Sequence, residues 1–120
     1  QPFAEIFRDH HQAHLDLAIK ELETLGETVP DPAPLGDPPA LEDDVAVLRY
    51  ALVLEQQACN AYLGLIERLG DARLRFNAGN VLGCEFAHVI AIRSALEGLD
   101  LEAVGRAADF AFVTDNNPKK

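Results

Sequence analysis

Residues 72–97, ARLRFNAGNVLGCEFAHVIAIRSALE, decide the fold. Leu74, Ala78, Val81, Glu85, His88, Ile92 and Ala95 recur every three or four residues, the spacing of one face of an α-helix. Asp71 precedes the run as a capping residue, and Gly98 follows it as a stop. Two members of that face are not apolar. Glu85-Phe86-Ala87-His88 puts a carboxylate and an imidazole at i, i+3 on the side the helix must bury. Unpartnered burial of such groups costs several kcal/mol, so they call for a partner side chain or a metal ion. Gly79 and Gly83 each weaken a helix by roughly 1 kcal/mol relative to Ala, which points to close packing of another segment there.

Upstream, residues 41–69 read as a second helix with the stripe Leu41, Val45, Leu48, Leu52, Cys59, Tyr62, Ile66 and Leu69. Asp37 before Pro38-Pro39 is the expected entry, with Glu42, Asp43 and Asp44 on the positive end of the helix dipole. At 100° per residue, Glu55 falls inside this apolar stripe, whereas Gln56, Gln57 and Asn60 point elsewhere. The Gly70-Asp71 turn is tight, so the two helices are expected to be antiparallel neighbours. Glu55 and Glu85 each lie 15 residues from Gly70. At about 1.5 Å rise per residue, the two carboxylates reach the same height, with His88 one turn further on.

Residues 3–26 read as a first helix, with Phe3, Ile6, Phe7, His10, His14, Leu17, Ala18, Leu22 and Leu25 on one face and Gly26 as its stop. Residues 27–40, ETVPDPAPLGDPPA, contain five prolines and form a long crossover. Residues 101–112 suggest a short fourth helix, and 113–120 a polar tail, so the domain is expected to span 1–112. The architecture is all-α, an up-down bundle with three long helices.

Carboxylate oxygens and imidazole nitrogens suit iron, manganese or zinc, and a bundle core can hold a di-metal site built from them. The expected ligands are Glu55, Glu85, His88, His14 and His11. His10 and His14 are an i, i+4 pair and His11 and His14 an i, i+3 pair, so His10 competes with His11 for the role. The alternatives are solvated edge histidines at 10 and 11 and a hydrogen-bonded core histidine at 14. Glu21 lies two turns away and reads as a bundle-end or interface residue. Tyr62 reads as core or as a hydrogen-bond partner of the site. Because imidazole must be neutral to ligate, affinity is expected to fall below about pH 6.5.

The formal charge of −10 argues against nucleic acid or anionic lipid as partner. No apolar run reaches the about 18 residues of a membrane span. Ser94 is the only serine and sits on a helix without an elbow motif, which leaves no serine hydrolase. Cys59 and Cys84 read either as buried thiols or as a helix–helix disulfide. The chain starts at Gln1 and contains no Met, as expected of a processed form or a fragment, with any export signal removed.

These residues together resemble the ferritin-like superfamily, in particular the bacterial, often exported, ferritin-like domain proteins. Leu54-Glu55-Gln56-Gln57-Ala58-Cys59-Asn60-Ala61-Tyr62 is similar to the family's third helix, and Gly83-Cys84-Glu85-Phe86-Ala87-His88 to its fourth. Phe7-Arg8-Asp9-His10-His11-Gln12-Ala13-His14 then falls on the second helix, and 27–40 matches the long crossover. The resemblance covers about residues 3–98 and implies a di-iron carboxylate site, in proteins that handle iron, detoxify peroxide or oxidise with O2. Two departures stand out. His11-x-x-His14 replaces the family's Glu-x-x-His, and the first family helix with its Glu has no counterpart in the sequence. The implied cofactor is iron, with manganese or zinc as alternatives. The alternative function is a non-catalytic exported bundle with a degenerate metal site, acting in interaction or stress protection. The missing helix is expected to be supplied by a homodimer or by a separate N-terminal helix, because a bare groove would expose an apolar patch.

Overall fold

The computed structural model describes residues 2–34 and 36–98. Three α-helices and no strand occur among them: α1 (Pro2–Leu25), α2 (Asp44–Arg68) and α3 (Ala72–Glu97). The helix expected at 101–112, the tail at 113–120, the domain limit at 112 and the side chain of Phe3 lie outside the described residues.

Each helix end has a chemical cause. Gly26, at φ +76°, takes the left-handed conformation that closes α1. The amides of Gly26 and Glu27 then donate to the carbonyls of Glu23 and Leu22, at 3.0 and 2.9 Å. The prolines that follow keep the described crossover residues out of any helix up to Asp43.

Helix α2 begins later than the prolines suggest. Asp43, not Asp37, is its N-cap, with a carboxylate oxygen accepting from the Ala46 amide at 2.7 Å. Leu41 and Glu42 therefore precede the helix and are exposed. Val45 is exposed too, so the buried stripe of α2 starts further along. Asp71 caps α3 by accepting from Leu74 N at 2.9 Å, and that bond holds its carboxyl below the usual range. Arg75 closes the turn by donating to the carbonyls of Leu69 and Gly70, at 2.7 and 2.9 Å. Gly98, at φ +63°, ends α3 as expected.

The α2–α3 hairpin carries the core. Cys59, Ala78, Val81, Val89 and Ile92 are buried in it. Ala95, expected on the inner face, is exposed, and Val89 takes the buried position instead. Helix α1 runs antiparallel to α3 and is held to it at two levels. His10 meets His88 near one end. Glu21 pairs with Arg73 and accepts from Asn77 Nδ2 at 2.8 Å near the other. Glu21 is thus an interface residue, and Arg68, Arg73 and Arg75 near the α2–α3 turn are engaged away from Glu85.

Among the described residues, the close packing expected at Gly79 and Gly83 is not found. A Cβ at either position would meet nothing within 4 Å. The same face leaves Phe76 and Phe86 exposed. Between α1 and α2 lies a groove of about 930 Å³, flanked by Leu15 and Leu54 and floored by Glu55 and Glu85. No described helix is long and apolar enough to cross a membrane.

Candidate metal centre

Halfway along the hairpin the apolar core is interrupted by one polar layer. Glu55 projects from α2, and Glu85 and His88 from α3. They are 5%, 2% and 2% exposed. The equal spacing of the two carboxylates from the turn does bring them to one height, because both helices leave the turn as capped, unbroken α-helices. Helix α1 adds His14, largely covered, and His11, whose ring is half exposed to the groove.

The donor atoms face one another. His11 Nε2 lies 3.4 Å from Glu85 Oε2 and 3.5 Å from Glu55 Oε1. His88 Nδ1 lies 3.3 Å from Glu55 Oε2 and 3.8 Å from Glu85 Oε2. One donor atom from each of His11, Glu55, Glu85 and His88 falls within 4.8 Å of all the others. Metal–ligand bonds of about 2.0–2.1 Å separate neighbouring donors by about 2.9 Å at right angles and about 3.4 Å at the tetrahedral angle. Three of the four N–O separations match the tetrahedral spacing. His14 Nδ1 sits 2.7 Å from Glu85 Oε1, yet the two are not aligned for a hydrogen bond and this buried nitrogen has no such partner. An orphaned buried ring nitrogen beside a carboxylate fits a cation at this point better than it fits a finished hydrogen-bond network. All five residues expected from the sequence therefore meet in one layer.

Electrostatics favour the same use. Burial, followed by the hydrogen bond and negative charge of Glu85, pushes the Glu55 carboxyl up to about 8. Burial alone would raise Glu85 as well. The Glu55 proton, the charges of His11 and His14 and the His11 hydrogen bond outweigh it and hold Glu85 below the usual carboxylate range. The pair thus shares one proton, with Glu55 carrying it. Burial lowers His88 to about 4, against the opposing pull of Glu85. His88 is therefore neutral, as a ligand must be, far below the pH 6.5 expected of an ordinary imidazole. Tyr62, beside the site on the groove wall, is pushed up by burial and then by the Glu85 charge.

His88 also has a second set of neighbours. Its ring is stacked under Phe7, with centroids 4.0 Å apart. Its Nε2 lies 2.9 Å from His10 Nδ1 and 3.6 Å from Cys84 Sγ, and Cys84 Sγ lies 3.5 Å from His10 Nδ1. His10 and His11 therefore do not compete for one role; His10 reaches Nε2 of His88, and His11 reaches the two carboxylates that face its Nδ1. Cys84 is the residue that the sequence reading missed. Its signal is Cys84-x-x-x-His88, an i, i+4 pair on one face. Cys59 and Cys84 are both free thiols, raised first by burial and then by the two carboxylates.

Residues 1–98 match a family model described as a ferritin-like domain. No curated protein and no solved structure matches the chain.

Proposed function

This chain belongs to the ferritin-like domain family, and we propose that it works by binding a metal ion between Glu55, Glu85, His88, His11 and His14. Iron is the first candidate, with manganese and zinc as alternatives. The observation that carries the reading is the convergence of four donor atoms within 4.8 Å in an otherwise apolar layer. Two carboxylates with neutral imidazoles are balanced by a single divalent ion. A second ion would leave net positive charge in a buried site, which is costly. The reading is therefore mononuclear, and it follows from His11 standing where the di-iron members of the family carry a Glu. A redox-active ion held there would supply electron transfer to or from O2 or peroxide. The chain's own contributions are separable. Glu85 touches all three ligating imidazoles, Glu55 would lose its proton to solvent as an ion binds, Phe7 fixes the plane of His88, and the α1–α2 groove admits small solutes to the carboxylates.

Metal analysis after loading with iron(II), manganese(II) or zinc and gel filtration tests this. One retained equivalent is expected. A second reading is an exported, non-catalytic bundle, favoured by the contacts that the polar groups make among themselves, such as His88 Nδ1 to Glu55 at 3.3 Å. Metal-free protein after all three loadings would discard the metal centre and leave the non-catalytic bundle.

Leu15 and Leu54, about half exposed, flank the groove on facing helices. Covering them with a second copy of the chain completes the bundle. Sedimentation at micromolar concentration is expected to give twice the monomer mass, and a compact monomer discards the dimer.

A further inference from the structure

We propose a second metal site, distinct from the carboxylate centre, in which Cys84 Sγ, His10 Nδ1 and His88 Nε2 bind a thiophilic divalent cation, zinc in the first instance. These three atoms form their own cluster within 4.8 Å. Zinc bonds of about 2.3 Å to sulfur and about 2.0–2.1 Å to nitrogen set tetrahedral S–N separations of about 3.6 Å and an N–N separation of about 3.3 Å. The two S–N separations are 3.5 and 3.6 Å. The N–N separation is 2.9 Å. A small outward turn of His10, an exposed side chain, lengthens it. Thiolate with two imidazoles is a donor set for zinc rather than for manganese or magnesium. Three protein ligands leave a fourth position open, as in zinc sites that keep a water or a substrate.

The orientation of His88 supports the assignment independently. A zinc-bound imidazole characteristically donates its other ring N–H to a carboxylate. With Nε2 on the cation, the His88 Nδ1–H faces Glu55 Oε2 at 3.3 Å. The neutral ring has a single lone pair. With an ion at the carboxylate centre, that lone pair is on Nδ1; with one at Cys84, it is on Nε2. The two sites therefore compete for His88, and an ion in one weakens the other.

Cobalt(II), a spectroscopic substitute for zinc, tests the proposal on the full chain, reduced and without oxygen. One equivalent is expected to produce a near-ultraviolet sulfur-to-cobalt charge-transfer band that zinc bleaches. The band is expected to vanish in Cys84→Ser and to persist in Cys59→Ser. His10→Ala, a change at an exposed residue, is expected to weaken cobalt binding by about tenfold or more. Glu85→Ala, which disables the carboxylate centre, is expected to keep the band, so failure of one site is told apart from failure of the other. No band in the folded wild-type chain, or a band that survives Cys84→Ser, overturns the proposal.

Discussion

Glu85→Ala is expected to strip the carboxylate centre of its ion. Glu85 is the most buried of the ligands, at 2% exposure. Its Oε1 lies 2.7 Å from His14, and its Oε2 lies 3.4 Å from His11 and 3.8 Å from His88. Removing it takes away half of the negative charge that balances the cation and the one group that the three imidazoles share. Alanine is the best helix former, so α3 itself survives the change. Iron or manganese retained through gel filtration is expected to fall to the background of a metal-free control, a loss of at least about a hundredfold in affinity, beyond the 10–100-fold typical of outer-shell changes. Glu85→Gln keeps the shape without the charge and is expected to lose nearly as much. Unchanged metal content in Glu85→Ala would remove this constellation from consideration.

The second large effect is on pH. Glu55 is protonated up to about 8 because burial and the Glu85 charge oppose its ionisation. An incoming ion must displace that proton. Affinity is therefore expected to climb by at least about tenfold for each pH unit from about 6 to 8, with the Glu55 proton among those released. His88, neutral above about 4, releases none in this range. Calorimetry at pH about 6–8 in buffers of different ionisation enthalpy reads the proton directly. Glu55→Gln is expected to bind more weakly and with a shallower pH slope. Affinity that stays level across the range would show that Glu55 is not a ligand.

Stability of the metal-free chain has the opposite trend. The raised Glu55 contributes stability that is present below its ordinary 4.5 and lost as pH rises through about 8. The depressed His88 contributes stability that is present above its ordinary 6.5 and lost as pH falls through about 4. The two oppose each other between 4.5 and 6.5. Above 6.5 only the Glu55 loss continues, so the empty site weakens the fold at the pH where the ion binds best.

The α2–α3 hairpin and its two facing carboxylates could be read from the sequence. Asp71 and Gly98 mark the ends of α3, helical periodicity sets which way Glu55, Glu85 and His88 point, and a short turn ties the heights of the two helices together. Those are local quantities. The start of α2 is local too: Asp43, not the Asp37-Pro38-Pro39 entry, supplies the side chain that makes the capping bond. Helix α1 is a different case. The proline-rich crossover transmits neither height nor rotation, so nothing along the chain says whether His10 or His11 faces the core, or that Glu21 meets Arg73.

Sequence alone determined three long helices, the antiparallel hairpin and the Glu55, Glu85 and His88 layer. Packing of the three helices sets His10 and Cys84 at Nε2 of His88 and sets His11 against the two carboxylates that face its Nδ1. The same packing pushes the Glu55 carboxyl up and holds that of Glu85 down. The reason is that ring-nitrogen direction and proton affinity depend on atoms from all three helices at once, and helical spacing orders only the residues of one.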